Sequence, residues 1–296
     1  MEQNSTLTAE LELVGSGKKV LEIGPGSGHL TEALAKRNCA VTCVEVDADL
    51  TSISRSFCQR MIVTDVETLI PEDVFPGERF DVILAGDVLE HLKNPARVLR
   101  KLRACLQPAG YLVGSLPNVA HGSIRLALLN GDFNYTDEGL IDRTHLQFFT
   151  RETMVALMDE AGYRIRELRR TRVGVFNTEV KLSIDKVAVS ALRRLMRDPE
   201  ATTYQFIFAA QPQPDDRRGP TAEFDPALLA DRTWSFRNSK TRLARSLMRK
   251  GRALLWEDDA GKARAWLYRS FMLQPRMQTL LYLFLSGIRK SRSRVL

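Results

Sequence analysis

Three glycines at alternate positions, Gly24, Gly26 and Gly28, close an apolar run, Val20-Leu21-Glu22-Ile23. That spacing suits a strand that turns sharply and leaves bare backbone for a ligand to lie against. A helix starting near Gly28 adds unpaired amides beside the same turn. The run is not the G-x-G-x-x-G of dinucleotide binders, because His29 stands where the third glycine would be needed. Glu45 lies 21 residues beyond Gly24, at the end of a second apolar run. Doubly wound nucleotide binders hold at about this point the carboxylate that accepts both ribose hydroxyls. Asp47 is a nearby rival, and a solvated loop acid is the plain alternative for Glu45.

The spacing acidic-x-Gly-x-Gly-x-Gly, with Pro25 inside the turn, resembles motif I of the class I S-adenosylmethionine (SAM) methyltransferases. A generic strand–turn–helix of an unrelated α/β protein also fits that motif taken alone. A second run, F-D-V-I-L into Gly86-Asp87-Val88-Leu89-Glu90-His91-Leu92, is similar to the segment beside the methionine half of SAM in type 11/12 methyltransferases. That group includes ubiquinone-pathway O-methyltransferases. The resemblance implies SAM as cofactor, with S-adenosylhomocysteine (SAH) as product; no metal is expected, since the four cysteines and four histidines make no zinc pattern. The resemblance also implies a cofactor site of Glu22, Gly24, Pro25, Gly26, Gly28, Glu45, Val46, Asp65, Val66 and Asp87. In it Asp65 accepts from the adenine amino group, Val66 covers the ring and Asp87 lies near the sulfonium. Read from the residues alone, Asp65 is equally a helix cap. Glu90-His91 reads more readily as a structural pair at a helix start than as a catalytic one.

The loop from Leu116 to Thr150 is where acceptor chemistry is expected. Its D-R-T-H-L-Q-F-F-T string resembles methyltransferases of bacterial glycan gene neighbourhoods, which implies O-methylation of a sugar hydroxyl; a quinone, phenol or natural product is the alternative acceptor. A hydroxyl must lose its proton, and an imidazole is suited to take it near neutral pH. His145 is the first candidate for that base and His121 the second; each is otherwise a structural histidine. Asp142 either orients His145 or caps the segment after it. Arg125 and Arg143 suit an anionic acceptor or are solvated charges, and Tyr135 suits stacking on a ring or packing in the loop.

The elements that must position these groups follow in β-α order: strands ending at Ile23, Val44, Val63, Leu84 and Ser115, with helices at 28–37, 48–58 and 95–106. This order predicts an α/β doubly wound, Rossmann-like sheet, seven-stranded in the resembled family, with its ligand beyond the C-terminal strand ends. A helix at 151–161 and strands at 163–171 and 204–209 complete it, the last antiparallel by the resemblance. A basic amphipathic helix over 184–197 reads as an insertion covering the pocket. The expected domains are 1–210 for the SAM-dependent methyltransferase, 211–238 for a proline-rich linker and 239–296 for a helical tail.

The chain's 296 residues carry a net charge of +7, yet residues 211–296 hold 18 Lys+Arg against 8 Asp+Glu, so all the excess is in the tail. That distribution argues against nucleic acid as the partner of the catalytic half. No N-P-P-Y-type motif follows the fourth strand, which argues against amino methylation of protein or nucleic acid. The four cysteines form no C-x-x-C pair, and neither a signal peptide nor a membrane span is evident, so a cytoplasmic protein is expected, peripheral at the inner membrane at most. In the tail, Leu247, Gly251, Leu254, Ala263, Leu267, Ser270 and Pro275 fall near the spacing of one tetratricopeptide-type helix pair. The apolar helix 278–288, with R-K-S-R-S-R behind it, suits burial, a dimer contact, a protein partner or a membrane surface. A non-catalytic scaffold recruiting partners through this tail is the rival from outside enzymology.

Overall fold

The structure is a computed structural model and describes residues 5–183, 187–214, 236–257 and 259–292. The chain divides into two compact units. The first comprises residues 1–119, 144–171 and 204–230; the second comprises residues 120–143, 172–203 and 231–296.

The first unit is built on a seven-stranded sheet in the order β3-β2-β1-β4-β5-β7-β6. Its strands are β1 (Lys19–Ile23), β2 (Ala40–Glu45), β3 (Arg60–Val63), β4 (Phe80–Ala85), β5 (Leu106–Pro117), β6 (Tyr163–Arg172) and β7 (Thr203–Pro212). The pairs β1–β2, β1–β4, β2–β3 and β4–β5 are parallel, and β7 runs antiparallel to β5. This is the doubly wound methyltransferase-type sheet expected, including its reversed last strand. The central strands are mostly apolar because both faces are covered, with Glu22 and Ser115 among the buried exceptions. Alternate residues serve opposite faces: Leu21, Ile23 and Ile83 join one core cluster with Leu99, Leu102, Met154 and Met158, whereas Val20, Val82 and Leu84 join another with Leu11, Val14 and Leu34. Helices α1 (Thr6–Val14) and α2 (His29–Lys36) supply the second face; α5 (Pro95–Leu102) and α7 (Arg151–Glu160) supply the first.

Several boundaries differ from expectation. The helix expected at 48–58 shrinks to one turn, α3 (Thr51–Ser54), because its Thr- and Ser-rich sequence competes with helical hydrogen bonding. A similar short turn, α4 (Pro71–Val74), follows β3. Helix α5 stops at Leu102, and the Q-P-A-G turn is absorbed into β5 as an irregularity opposite Phe80 and Val82. Strand β7 runs two residues into the expected linker; residues 215–235 of that linker lie outside the described residues.

The second unit contains α6 (Gly122–Asn130), α8 (Val189–Leu195), α9 (Phe236–Trp256), α10 (Ala260–Leu273) and α11 (Met277–Arg292). Its bounds cut across the division expected at residue 210. Val187, Leu192, Leu195 and Met196, anticipated as the apolar face of a pocket cover, share one buried cluster with Leu126, Phe176, Leu243, Leu247 and Trp266. Apolar faces too small to be buried alone are thus buried against each other. Helix α8 is shorter than expected, and residues 184–186 of the expected span lie outside the described residues. Helices α9 and α10 pack against each other, and Ser270 Oγ donates to the Ala244 carbonyl at 2.7 Å. In helix α11 Thr279 and Ser286 face inward, while Met277, Leu280, Leu281 and Leu285 are exposed. No helix among the described residues is long and apolar enough to cross a membrane.

Candidate functional site

The glycine turn leaves β1 with all three glycines at positive φ. A Cβ on Gly24 would meet Val88 Cγ2 at 2.8 Å, and one on Gly28 would meet the Ser54 backbone at 2.8 Å. A Cβ on Gly26 would meet nothing within 4 Å. Two glycines are therefore required by close packing, and the middle one presents open backbone. Glu45 closes on this turn: its carboxylate accepts from Gly26 N at 3.2 Å, Val46 N at 2.8 Å and Asp47 N at 3.0 Å. Asp47, the rival acid, instead accepts from Asp49 N at 2.9 Å as a local cap. Val46 is largely exposed beside the turn.

Glu22 is buried inside the fold, accepting from Thr31 Oγ1 at 2.8 Å and from Cys43 Sγ at 3.7 Å. It ties β1 to α2 and β2, and burial raises its pKa to about 7. Asp65 Oδ1 accepts from Glu67 N at 2.8 Å, which is cap geometry, and Val66 is packed in the main core.

Asp87 is one of two non-glycine residues at positive φ among those described. Aspartate tolerates that conformation better than most residues, and here neighbouring strands hold it. Its amide donates to Ser115 Oγ at 2.9 Å, and the same hydroxyl donates to Asp87 Oδ1 at 2.7 Å. Gln205 Nε2 on β7 donates to both carboxylate oxygens at 2.8 and 2.9 Å, and Thr6 Oγ1 on α1 donates to Gln205 Oε1. Glu10, one turn after Thr6, is 4 % exposed, and its Oε1 has no hydrogen-bond partner. None of Ser115, Gln205 and Glu10 is among the candidate site residues expected from the sequence. Ser115 and Gln205 had a signal, a polar residue inside an apolar strand; Glu10, in a helix with Glu12, had none.

Two motifs noted separately meet in space. The T-H-L-Q-F-F-T segment docks on the loop after β4, with the Leu146 and Gln147 amides both donating to the Glu90 carbonyl, at 2.9 and 3.0 Å. His91 Nδ1 donates to the Thr144 carbonyl at 3.2 Å, and the His91 and His145 rings stand edge to face with centroids 4.9 Å apart. Buried Glu90 completes the group: ligand-type atoms of Glu90, His91 and His145 lie within 4.8 Å of one another, a spacing a divalent cation could use. Glu90-His91 is thus the immediate setting of His145, which sequence proximity to Asp142 did not suggest.

His121 has a different part. It is fully buried as the N-cap of α6: Nδ1 accepts from Ser123 N at 3.2 Å, and Nε2 donates to the Val173 carbonyl at 3.1 Å. Burial lowers its pKa to about 4. This is a structural histidine, the alternative left open for it. In the second unit the Asp142 amide donates to the Gly139 carbonyl at 3.4 Å. Arg143 pairs with Asp137 at 2.7 Å, and with Tyr135 lines a cavity of about 380 Å³. Arg125 pairs with Asp198 and lines a separate arginine-rich cleft.

The open glycine backbone, the carboxylate hydrogen-bonded to it and the unpartnered buried Glu10 oxygen fit a nucleoside bearing a cationic amino-acid tail, as SAM does. Residues 3–168 match the family model of the Methyltransferase domain. A ubiquinone biosynthesis O-methyltransferase of Coxiella burnetii is 26% identical over 184 residues, covering 60% of this chain and 76% of that protein. One of Histophilus somni is 30% identical over 123 residues, 39% of this chain and 52% of that protein. The magnesium protoporphyrin IX methyltransferase of Synechocystis PCC 6803, crystallised with SAH, is 16% identical with a TM-score of 0.45, covering 69% of this chain and 77% of that one. The chain belongs to the methyltransferase domain family and is a SAM-dependent methyltransferase.

Proposed function

We propose that this enzyme O-methylates a hydroxyl of a small-molecule acceptor, with His145 as the group that takes the hydroxyl proton. The observation that supports this reading is the docking of T-H-L-Q-F-F-T on the β4 loop, which sets His145 against Glu90 and His91 in the loop that also carries Asp87. The O-methyltransferase names of the relatives support the small-molecule acceptor; they lend no support to the glycan suggested by the D-R-T-H-L-Q-F-F-T resemblance.

SAM, when bound, supplies a methyl group made electrophilic by its sulfonium. Gly26 would offer bare backbone to the nucleoside, and Glu45 would accept from its ribose hydroxyls. Asp87, fixed by Ser115 and Gln205, faces the cationic end. His145 removes the acceptor's proton as the oxygen gains its methyl group, and the Glu90 carboxylate stabilises the imidazolium that forms. Holding the acceptor oxygen at near-attack distance supplies much of the remaining acceleration.

The test is methyl transfer from labelled SAM to a panel of catechols, quinols and free or lipid-linked sugars. Transfer to the phenolic members, with kcat reduced about 10²–10⁴-fold in His145→Gln and SAH affinity preserved, supports the reading. Transfer only to sugars, or full activity in His145→Gln, overturns it.

A further inference from the structure

The N-terminal helix α1 brings a carboxylate into the cofactor end of the sheet that none of the recognised motifs contains. Leu11 and Val14 of α1 are buried in the core, and Tyr111 Oη donates to the Leu13 carbonyl at 2.9 Å, so the helix is fixed against β5. Thr6 and Glu10, one turn apart, share its other working edge. Thr6 reaches Gln205, which grips Asp87. Glu10 reaches Gly86, where a Cβ would lie only 2.5 Å from Glu10 Oε1. That oxygen is buried without a hydrogen-bond partner. A buried carboxylate oxygen left in that state lacks the partner such groups ordinarily have.

The sheet order says which partner fits. Glu45 ends β2, the glycine turn ends β1, and Asp87 follows β4, so the acid for the ribose and the acids at Gly86–Asp87 stand two strand spacings apart, roughly 10 Å. The amino-acid half of SAM extends from the ribose over such a distance. Two carboxylates there call for a cation with N–H donors. The sulfonium has none, and the primary ammonium has three.

We propose that Glu10 and Asp87 together receive the α-ammonium group of the SAM methionine moiety, making Glu10 a cofactor-positioning residue. This rests on SAM being the cofactor. Without that ammonium Glu10 holds a proton: burial, reinforced by Asp87 after β4 and Glu22 on β1 and opposed by the Ser115 hydroxyl on β5, raises its pKa to about 8. The arriving ammonium ionises Glu10, and the carboxyl proton is released to solvent. Cofactor binding is therefore coupled to release of about one proton at pH 7.

The experiment compares SAH with 5′-methylthioadenosine, which keeps the nucleoside and thioether but lacks the ammonium and carboxylate. Calorimetry in buffers of different ionisation enthalpy should show wild-type protein releasing about one proton with SAH and none with methylthioadenosine. Glu10→Gln should weaken SAH at least about tenfold, the scale of a lost charge-assisted hydrogen bond, and leave methylthioadenosine within about twofold. Equal weakening of both ligands would assign Glu10 a merely structural role and overturn the proposal. Unchanged SAH affinity, with or without lost turnover, overturns it as well. The proton count needs only wild-type protein and decides the matter even where the variant fails to fold. Wild-type protein that binds neither nucleoside would instead remove the cofactor reading itself, and this proposal with it.

Discussion

Gly26 and Gly28 share one turn, with φ of +51° and +76°, yet alanine at each should damage a different property. An ideal Cβ at Gly28 lies 2.8 Å from Ser54 Cα and 3.0 Å from its Cβ, and a neighbouring backbone cannot swing aside as a side-chain tip can. Left-handed strain of about 1–2 kcal/mol adds to overpacking of about 1–3 kcal/mol. Gly28→Ala should therefore lose about 2–5 kcal/mol of stability. At Gly26 only the backbone strain applies, about 1–2 kcal/mol, because the Cβ meets nothing within 4 Å. On the proposed cofactor placement the new methyl group would instead meet the nucleoside, so SAH should bind at least about tenfold more weakly, ~1.4 kcal/mol. Urea unfolding followed by circular dichroism, beside calorimetric titration with SAH, separates the two effects. A Gly28→Ala protein as stable as wild type, or a Gly26→Ala protein that binds SAH normally, would refute this division of labour within the turn.

Further outcomes are expected from the buried acids and the capping histidine. Glu45→Ala removes the acceptor of three amides as well as the proposed ribose contact, and should cost at least about tenfold in SAH affinity by calorimetry. Glu22 has its folded pKa raised from 4.5 to about 7. Its contribution is full below pH 4.5 and fades as pH climbs toward 7, by about 3 kcal/mol. Denaturant midpoints of the ligand-free Glu22→Gln protein should therefore fall less than those of wild type between pH 5 and 8. His121 has the opposite sign, its folded pKa depressed from 6.5 to about 4. The stability linked to it is full above pH 6.5 and is lost as pH falls toward 4, again by about 3 kcal/mol. His121→Asn keeps a good N-cap and should lack this acid-side component, with methyl transfer at pH 8 largely retained.

The sheet and its glycine turn were legible in the amino-acid order alone. Glycines at 24, 26 and 28, an acid closing β2, and apolar runs at β-α spacing are local signals. They report conformations that neighbouring residues impose on one another, so their order along the chain already dictates a doubly wound fold. Helix ends were less legible: Thr51–Ser54 and Leu102 show packing and side-chain competition overriding a periodic pattern. Which polar groups meet follows from long-range packing. Glu90 and His145 are 55 residues apart in sequence yet come together because a loop amide pair closes on one carbonyl. His121, the second candidate base by sequence, is instead buried as a helix cap with both ring nitrogens hydrogen-bonded. Glu10 gave no sequence signal, because a carboxylate on a surface-like helix becomes a buried acid only when that helix is packed on the sheet face with Glu10 against Gly86. Side-chain chemistry is written residue by residue. Desolvation and proximity, which turn that chemistry into a site, exist only once distant segments are packed.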